Sequence, residues 1–108
     1  MTANECAKAW LRIKEIYNET RDKTPKDTAE QIVKELGKET AYIVFATITR
    51  LKKGDGRIYG RNRKVMESHE YVPEATVWNH SNPMIGTGLD DIHTTHINQM
   101  IGALIDMG

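Results

Sequence analysis

The chain has 108 residues, 39% of them hydrophobic, and its 15 basic and 15 acidic side chains give a formal net charge of zero. This length predicts one domain over residues 1–108 with a single modest core, and the apolar content excludes wholesale disorder. The neutral balance excludes a generally basic or acidic chain, so only local charge can indicate a partner. The lone cysteine, Cys6, excludes an internal disulfide framework.

Apolar runs in the sequence are short. None approaches the roughly 20 residues that a membrane span needs, and no signal-like stretch is found at the N-terminus. Together with the single cysteine, this predicts a cytoplasmic protein of a reducing compartment, with no membrane partner.

Capping signals predict the first two helices. Thr2 fits the first position of a capping box, and apolar residues at helical spacing continue to about Glu19, with Lys14 on the polar face. Thr24 is the candidate N-cap of a second helix, which Gly37 would end because glycine readily takes the backbone conformation of a helix C-terminus.

The third segment, Glu39 to about Lys52, is rich in β-branched and aromatic residues, which favour a strand. Its length of about 13 residues exceeds the usual strand, however, and therefore favours a buried helix. The alternative is an α+β fold with a hairpin at residues 40–59, in which Lys53-Gly54-Asp55-Gly56 would form the turn.

The remainder predicts a short helix near Asn62–Glu70, an irregular stretch over Tyr71–Gly88, and a last helix over about Thr94–Asp106. The expected fold is therefore mainly α, a compact domain of four to five helices with a long irregular loop before the C-terminal helix. A loop of that length in a small domain is usually functional or held in place by something.

Two histidines three residues apart, His93 and His96, stand at the head of the last predicted helix. Neutral imidazole is a zinc ligand, and a tetrahedral structural zinc could join these two with His80 and Asp91, pinning the irregular loop. The alternative is that His93 serves as a residue of the N-cap region while His96 packs or meets solvent.

A basic stretch covers residues 50–64. It has seven cations and a single acidic residue, Asp55; the cations are Arg50, Lys52, Lys53, Arg57, Arg61, Arg63 and Lys64. With Tyr59 among them for stacking, these residues could contact nucleic acid or phosphate. They could equally contact an acidic protein surface, or form an ordinary solvated face.

The irregular loop carries much apolar surface, including Trp78, and exposed tryptophan is a typical anchor of protein interfaces. Enzyme signatures are not found: the glycine pairs at Gly54-Asp55-Gly56 and Gly86-Thr87-Gly88 fit neither a Walker nor a dinucleotide pattern. Asp90 and Asp91 lack a supporting nucleophile. We therefore expect no catalysis.

Short motifs in the C-terminal half carry a resemblance. Gly54-Asp55-Gly56-Arg57-Ile58, Arg61-Asn62-Arg63 and the run from Ile92 to Gln99 resemble small helical proteins of phages and mobile elements in Firmicutes-type bacteria, anti-CRISPR inhibitors among them. The resemblance implies a non-enzymatic inhibitor that acts in the bacterial host cell by binding a CRISPR-Cas nuclease effector. Since anti-CRISPR proteins share no common fold, it implies no architecture.

The neutral charge of this chain departs from the strongly acidic DNA mimics of that group, so binding to a protein domain of the effector is the expected mode. The basic stretch and Trp78 would form the contact surface. The alternative is a small nucleic-acid-binding regulator that uses the same basic stretch.

Overall fold

A computed structural model describes residues 1–52, 57–89 and 91–108. Within these ranges the chain forms five α-helices and no strand, which confirms the mainly α prediction. The helices are α1 (Ala3–Glu19), α2 (Pro25–Leu36), α3 (Lys38–Leu51), α4 (Gly60–Ser68) and α5 (Thr94–Asp106). Two short 3₁₀ turns, Pro73–Thr76 and Ile85–Thr87, lie between α4 and α5.

Helices α1 and α2 begin with the capping residues that the sequence indicates. The Thr2 hydroxyl accepts from the Glu5 backbone N–H at 3.1 Å, and the Glu5 carboxylate accepts from the Thr2 backbone N–H at 2.8 Å. Thr24 and Asp27 repeat this arrangement at the start of α2. These bonds satisfy N–H groups that have no partner inside a helix, and they lower the pKa of both carboxyls.

Helix α3 shows that the hairpin alternative at residues 40–59 is wrong, although its turn, residues 53–56, lies outside the described residues. Gly37, at φ +86°, both ends α2 and precedes α3. The hydroxyls of Thr47 and Thr49 donate to carbonyls four residues back, at 2.9 and 2.8 Å. The β-branched residues that favour a strand are therefore accommodated in a helix, half of whose residues are buried.

The core draws buried side chains from all five helices. Trp10 and Phe45 are buried at its centre, their rings edge to face with centroids 6.3 Å apart. Helix α5 packs mainly against α2 and presents the predicted apolar stripe. Arg12 joins α1 to α2 by a two-pronged ion pair with Glu35, at 2.7 and 2.8 Å.

Helix α4 begins two residues earlier than expected, at Gly60, and ends at Ser68 rather than Glu70. Gly60 takes φ +61°, a conformation that favours glycine, and His69 is already extended.

No helix in the described ranges combines the length and apolar character needed to cross a membrane.

Candidate functional site

The irregular stretch between α4 and α5 is held in shape by one buried amide, Asn82. Its Nδ2 donates to the carbonyls of Ala75 and Val77, both at 2.7 Å, and its Oδ1 accepts from the Met84 backbone N–H at 2.8 Å. These bonds add to the backbone hydrogen bonds of the turns in the stretch, such as that from the Asn82 N–H to the Asn79 carbonyl at 3.2 Å. The segment 75–82, called the Trp78 loop below, is closed at its base by these bonds.

The Trp78 loop presents its apolar tip to solvent. The side chains of Val77 and Trp78 are 53% and 70% exposed, whereas Ala75 and Met84 at its base are buried in the core. The base of the stretch therefore packs on the helices, and its tip leaves an aromatic side chain exposed.

Lys14 fastens the end of the same stretch. It is only 8% exposed, which corrects the expectation that it lies on the polar face of α1. Its ammonium donates to the carbonyls of Thr87 and Gly88 and pairs with Asp91 at 3.2 Å. Gly88 takes φ +68°, a left-handed conformation that favours glycine, and a Cβ there would also have to displace the Asp91 carboxylate, 2.4 Å away.

Arg50, the first cation of the basic stretch, is structural. Its guanidinium lies 3.7 Å from the Tyr71 ring centroid and donates to the carbonyls of Met66 and Glu67 at 3.1 and 2.7 Å. It therefore clamps the end of α4 onto α3, and its donors are unavailable to a partner unless that clamp opens.

Arg63 is used within the fold in the same way. Its Nε donates to the Ile58 carbonyl at 2.5 Å, and its Nη1 pairs with Glu67 at 2.9 Å. Arg61 forms a surface ion pair with Asp106 at 2.9 Å. The positive charge offered to a partner is consequently smaller than the sequence count suggests.

The rest of the basic stretch is more open. Arg57 and Lys64 are exposed, Lys52 is half-buried, and Lys53 lies outside the described residues. Tyr59, the residue before α4, is 65% exposed, and its backbone N–H donates to Asn98 of α5 at 3.4 Å.

His93 takes the N-cap position of α5. Its Nδ1 lies 3.3 Å from the Thr95 backbone N–H, and its Nε2 lies 2.6 Å from Nη1 of Arg57. A neutral imidazole can accept through only one nitrogen, and the shorter contact favours Nε2 as the acceptor. In that tautomer Nδ1 carries the proton and cannot accept from Thr95, so a side-chain cap by His93 requires the other tautomer and the loss of the Arg57 contact.

His96 faces α1. Its Nδ1 is hydrogen-bonded to the Tyr17 hydroxyl, and its ring centroid lies 6.0 Å from that of His93. In the described residues no three His, Cys, Asp or Glu side chains are grouped so as to hold a metal, so His80 and Asp91 do not join this pair. The zinc site therefore stays a prediction, which requires His80 to approach α5 and Arg57 to release His93.

Asn82 and Lys14 are the side chains that sequence reasoning missed. An asparagine in an irregular segment carries no distinguishing signal, and the position of Lys14 in α1 indicates a solvated residue.

Comparisons with protein-family models, with curated proteins and with solved structures give no match in any of the three.

Proposed function

We propose that the chain is a non-enzymatic inhibitor that binds a protein partner through the Trp78 loop. The observation that carries this proposal is an exposed tryptophan on a loop whose base is fastened by Asn82. Tryptophan is enriched among the few residues that supply most of the binding energy at interfaces. Leaving its apolar surface in water is unfavourable for the free protein, and burial against a partner would remove that cost.

The fastened base makes the loop suited to this role. A flexible loop loses conformational entropy when it binds, and a loop already held in one shape loses less. The two neighbouring apolar side chains, Val77 and Trp78, form the centre of the contact. The exposed cations Arg57 and Lys64 are candidates for a polar rim that steers an acidic surface.

The partner class follows from the resemblance of the C-terminal half to anti-CRISPR proteins. We propose a protein domain of a CRISPR-Cas nuclease effector, which the bound chain would keep from loading guide, loading target or cutting. Neutral net charge supports contact with protein over imitation of DNA.

The test is a target-cleavage assay with a panel of guide-loaded Cas nuclease effectors of Firmicutes, paired with a direct binding measurement. Trp78→Ala should weaken binding by roughly 30-fold or more, as loss of a hot-spot residue does. Leu11→Ala is the matched control, because Leu11 is 43% exposed on α1 and lies away from the loop in sequence.

Two results would contradict parts of the proposal. If no effector of the panel is bound or inhibited, the CRISPR-Cas partner is wrong. If an effector is bound equally well by the wild type and the Trp78→Ala variant, the Trp78 loop is not the contact surface.

The exposed Tyr59 beside Arg57 and Arg61 favours a second candidate, a nucleic-acid-binding regulator. Binding to duplex DNA should then weaken steeply with salt, with a slope near 0.9 per phosphate contacted. Tyr59→Ala should weaken such binding and leave binding to a protein effector unchanged. Salt-independent binding would count against this candidate.

The zinc prediction has its own test, elemental analysis of untagged protein prepared without chelator. About one zinc per chain, lost in a His93→Ala, His96→Ala double variant, would support a structural site like those of known small domains. Zinc that persists in the double variant, or is never found, would contradict the ligand set His80, Asp91, His93 and His96.

A further inference from the structure

A second, separate feature is a pocket of about 220 Å³ between the end of α1, the start of α2 and the side of α5. Most of the side chains that line it are polar. They are Tyr17, Thr20, Arg21, Lys23, Thr28, His96 and Gln99, and of these Tyr17 and Thr20 are hydrogen-bonded within the fold, to His96 and to the Ile16 carbonyl. The proposed contact surface shares none of these residues.

The two charged side chains that line this pocket, Arg21 and Lys23, are both cations. No carboxylate lines it among the residues that the structure describes, and neither Arg21 nor Lys23 forms an ion pair there. The guanidinium of Arg21 lies 5.1 Å from the Tyr17 ring centroid, which holds the cation beside the pocket. The counter-charges near these cations lie outside the lining: Asp22 stands between them in sequence, and the pKa of Asp27 is lowered by hydrogen bonds from Thr24 and, less strongly, by Lys23.

The pairing of Tyr17 with His96 adds a directed donor. When the Tyr17 hydroxyl donates to Nδ1 of His96, the proton of the neutral ring must be on Nε2. Nε2 of His96 is then an N–H donor. The Gln99 amide, three residues further along α5, supplies another on the same side of that helix.

Two acidic residues stand near the cations of the pocket, Asp22 between them in sequence and Asp27 in α2. Asp27 occupies the first turn of α2, where its carboxylate accepts from the backbone N–H and the hydroxyl of Thr24 at 3.3 and 3.0 Å. It lines the neighbouring hollow with Lys23 and not this pocket. The carboxylate is therefore held by the cap, although its charge reduces the positive potential.

The volume limits the ligand. Sites for drug-sized molecules usually span about 300–1,000 Å³, so this pocket suits a small ion or a single chemical group. A guanidinium, an ammonium, an imidazole N–H and an amide suit an anion with several oxygen acceptors in different directions. We propose that this pocket binds a phosphate group, either as free inorganic phosphate or as the end of a small phosphomonoester.

The experiment is an NMR titration of the full chain with inorganic phosphate, against sodium chloride at matched ionic strength. Saturable shifts are expected for backbone amides of residues 20–28 and 96–100, with a Kd of about 1 mM, as a few charge-assisted hydrogen bonds give. A parallel titration with a nucleoside monophosphate distinguishes the sources. Binding of both ligands means that the pocket accepts a phosphate attached to a larger molecule, and binding of inorganic phosphate alone means a free-ion site.

The decisive variant is Arg21→Gln, Lys23→Gln, which removes two exposed cations and no ion pair. Phosphate binding should weaken by at least about 10-fold, since each charge-assisted bond contributes that much or more. Lys8→Gln is the matched control, an exposed lysine of α1 outside the pocket, and it should change the Kd less than about 2-fold. Tyr17→Phe keeps the ring under Arg21 and removes the hydroxyl, so a loss of several-fold is expected.

A variant with the opposite sign separates binding from folding defects. Asp27→Asn removes the nearby negative charge while keeping an oxygen that can cap α2, so phosphate should bind several-fold tighter. Non-saturating shifts, shifts scattered over all cationic side chains, or equal losses in Lys8→Gln and the double variant would overturn the proposal.

Discussion

The capped helices α1–α3 and the segment between α4 and α5 are built by different means. In the helices, backbone groups satisfy one another, threonine caps complete the ends, and apolar side chains recur at helical spacing. In the segment, short backbone turns are supplemented by side-chain hydrogen bonds, chiefly from Asn82 within it and from Lys14 of α1. Stability is therefore spread over many residues in the helices and concentrated in a few residues in the segment.

This difference bears on function because the two regions should respond differently to mutation. A helix missing one contact keeps its shape, since neighbouring turns still support it. The segment missing Asn82 or Lys14 loses bonds that no neighbour can replace. The surface proposed to bind a partner should thus be lost without unfolding of the helices, and the following variants test that separation.

The largest expected effect is on the helical side. Trp10→Ala removes a fully buried indole and its edge contact with Phe45, and it should lower the free energy of unfolding by about 3–5 kcal/mol in a urea titration. Trp10→Phe is the milder control. It removes an indole N–H that has no hydrogen-bond partner in the described structure, so it should cost less than half as much. Equal losses in both variants would contradict the assignment.

Asn82→Ala is the matching change in the segment. It leaves buried backbone groups of Ala75 and Met84 without partners, and the free energy of unfolding should fall by about 2–3 kcal/mol. Amide hydrogen exchange should show protection lost at Met84 while α1–α3 stay protected. Asn79→Ala is the control: its exposed side chain accepts from the Ser81 backbone N–H, and its removal should cost well under 1 kcal/mol, as surface changes do.

A smaller effect is expected at the helix caps. Thr24→Ala removes the acceptor for the Asp27 backbone N–H and should cost about 1 kcal/mol, measured by thermal or urea unfolding. Thr95→Ala, exposed within the first turn of α5, should change stability by less than about 0.5 kcal/mol. A Thr24→Ala variant as stable as the wild type would mean that the capping box adds nothing.

The smallest effect is electrostatic and depends on pH. Hydrogen bonds from Arg12 lower the pKa of Glu35 below its usual 4.5, so the pair stabilises the folded state above that pH. The stabilisation is lost as the pH falls through the lowered folded-state pKa. The Tm difference between wild type and Glu35→Gln should therefore narrow from pH 7 to about pH 3, and shrink with salt because the pair is exposed. A difference that widens in acid would contradict this sign.

Much of the helical architecture could be predicted from the sequence. Thr2, Thr24 and Gly37 mark helix ends through local chemistry, and α5 lies where its apolar spacing puts it. The length of the third segment correctly overrode its strand-like composition. These signals are local, because a cap or a periodic stripe involves residues within one or two turns.

The candidate sites could be predicted only as residue names. His93 meets Arg57, His96 meets Tyr17, and Lys14 meets carbonyls 73 and 74 residues away, so each partner is set by the packing of distant helices. Charge counting along the basic stretch failed for the same reason. The carbonyls that occupy Arg50 belong to α3 and to the end of α4, and the helix packing that brings the two together leaves no trace in a local sequence pattern.

The Asn82 side chain bonds to main-chain carbonyls of the loop, so these hydrogen bonds do not depend on which side chains stand at positions 77 and 78. Single substitutions at the tip can therefore change the offered surface while the frame beneath stays the same. On the proposed function, two codon changes at the tip would be enough to alter which partner is bound, and an engineer could place a different recognition dipeptide on the same frame.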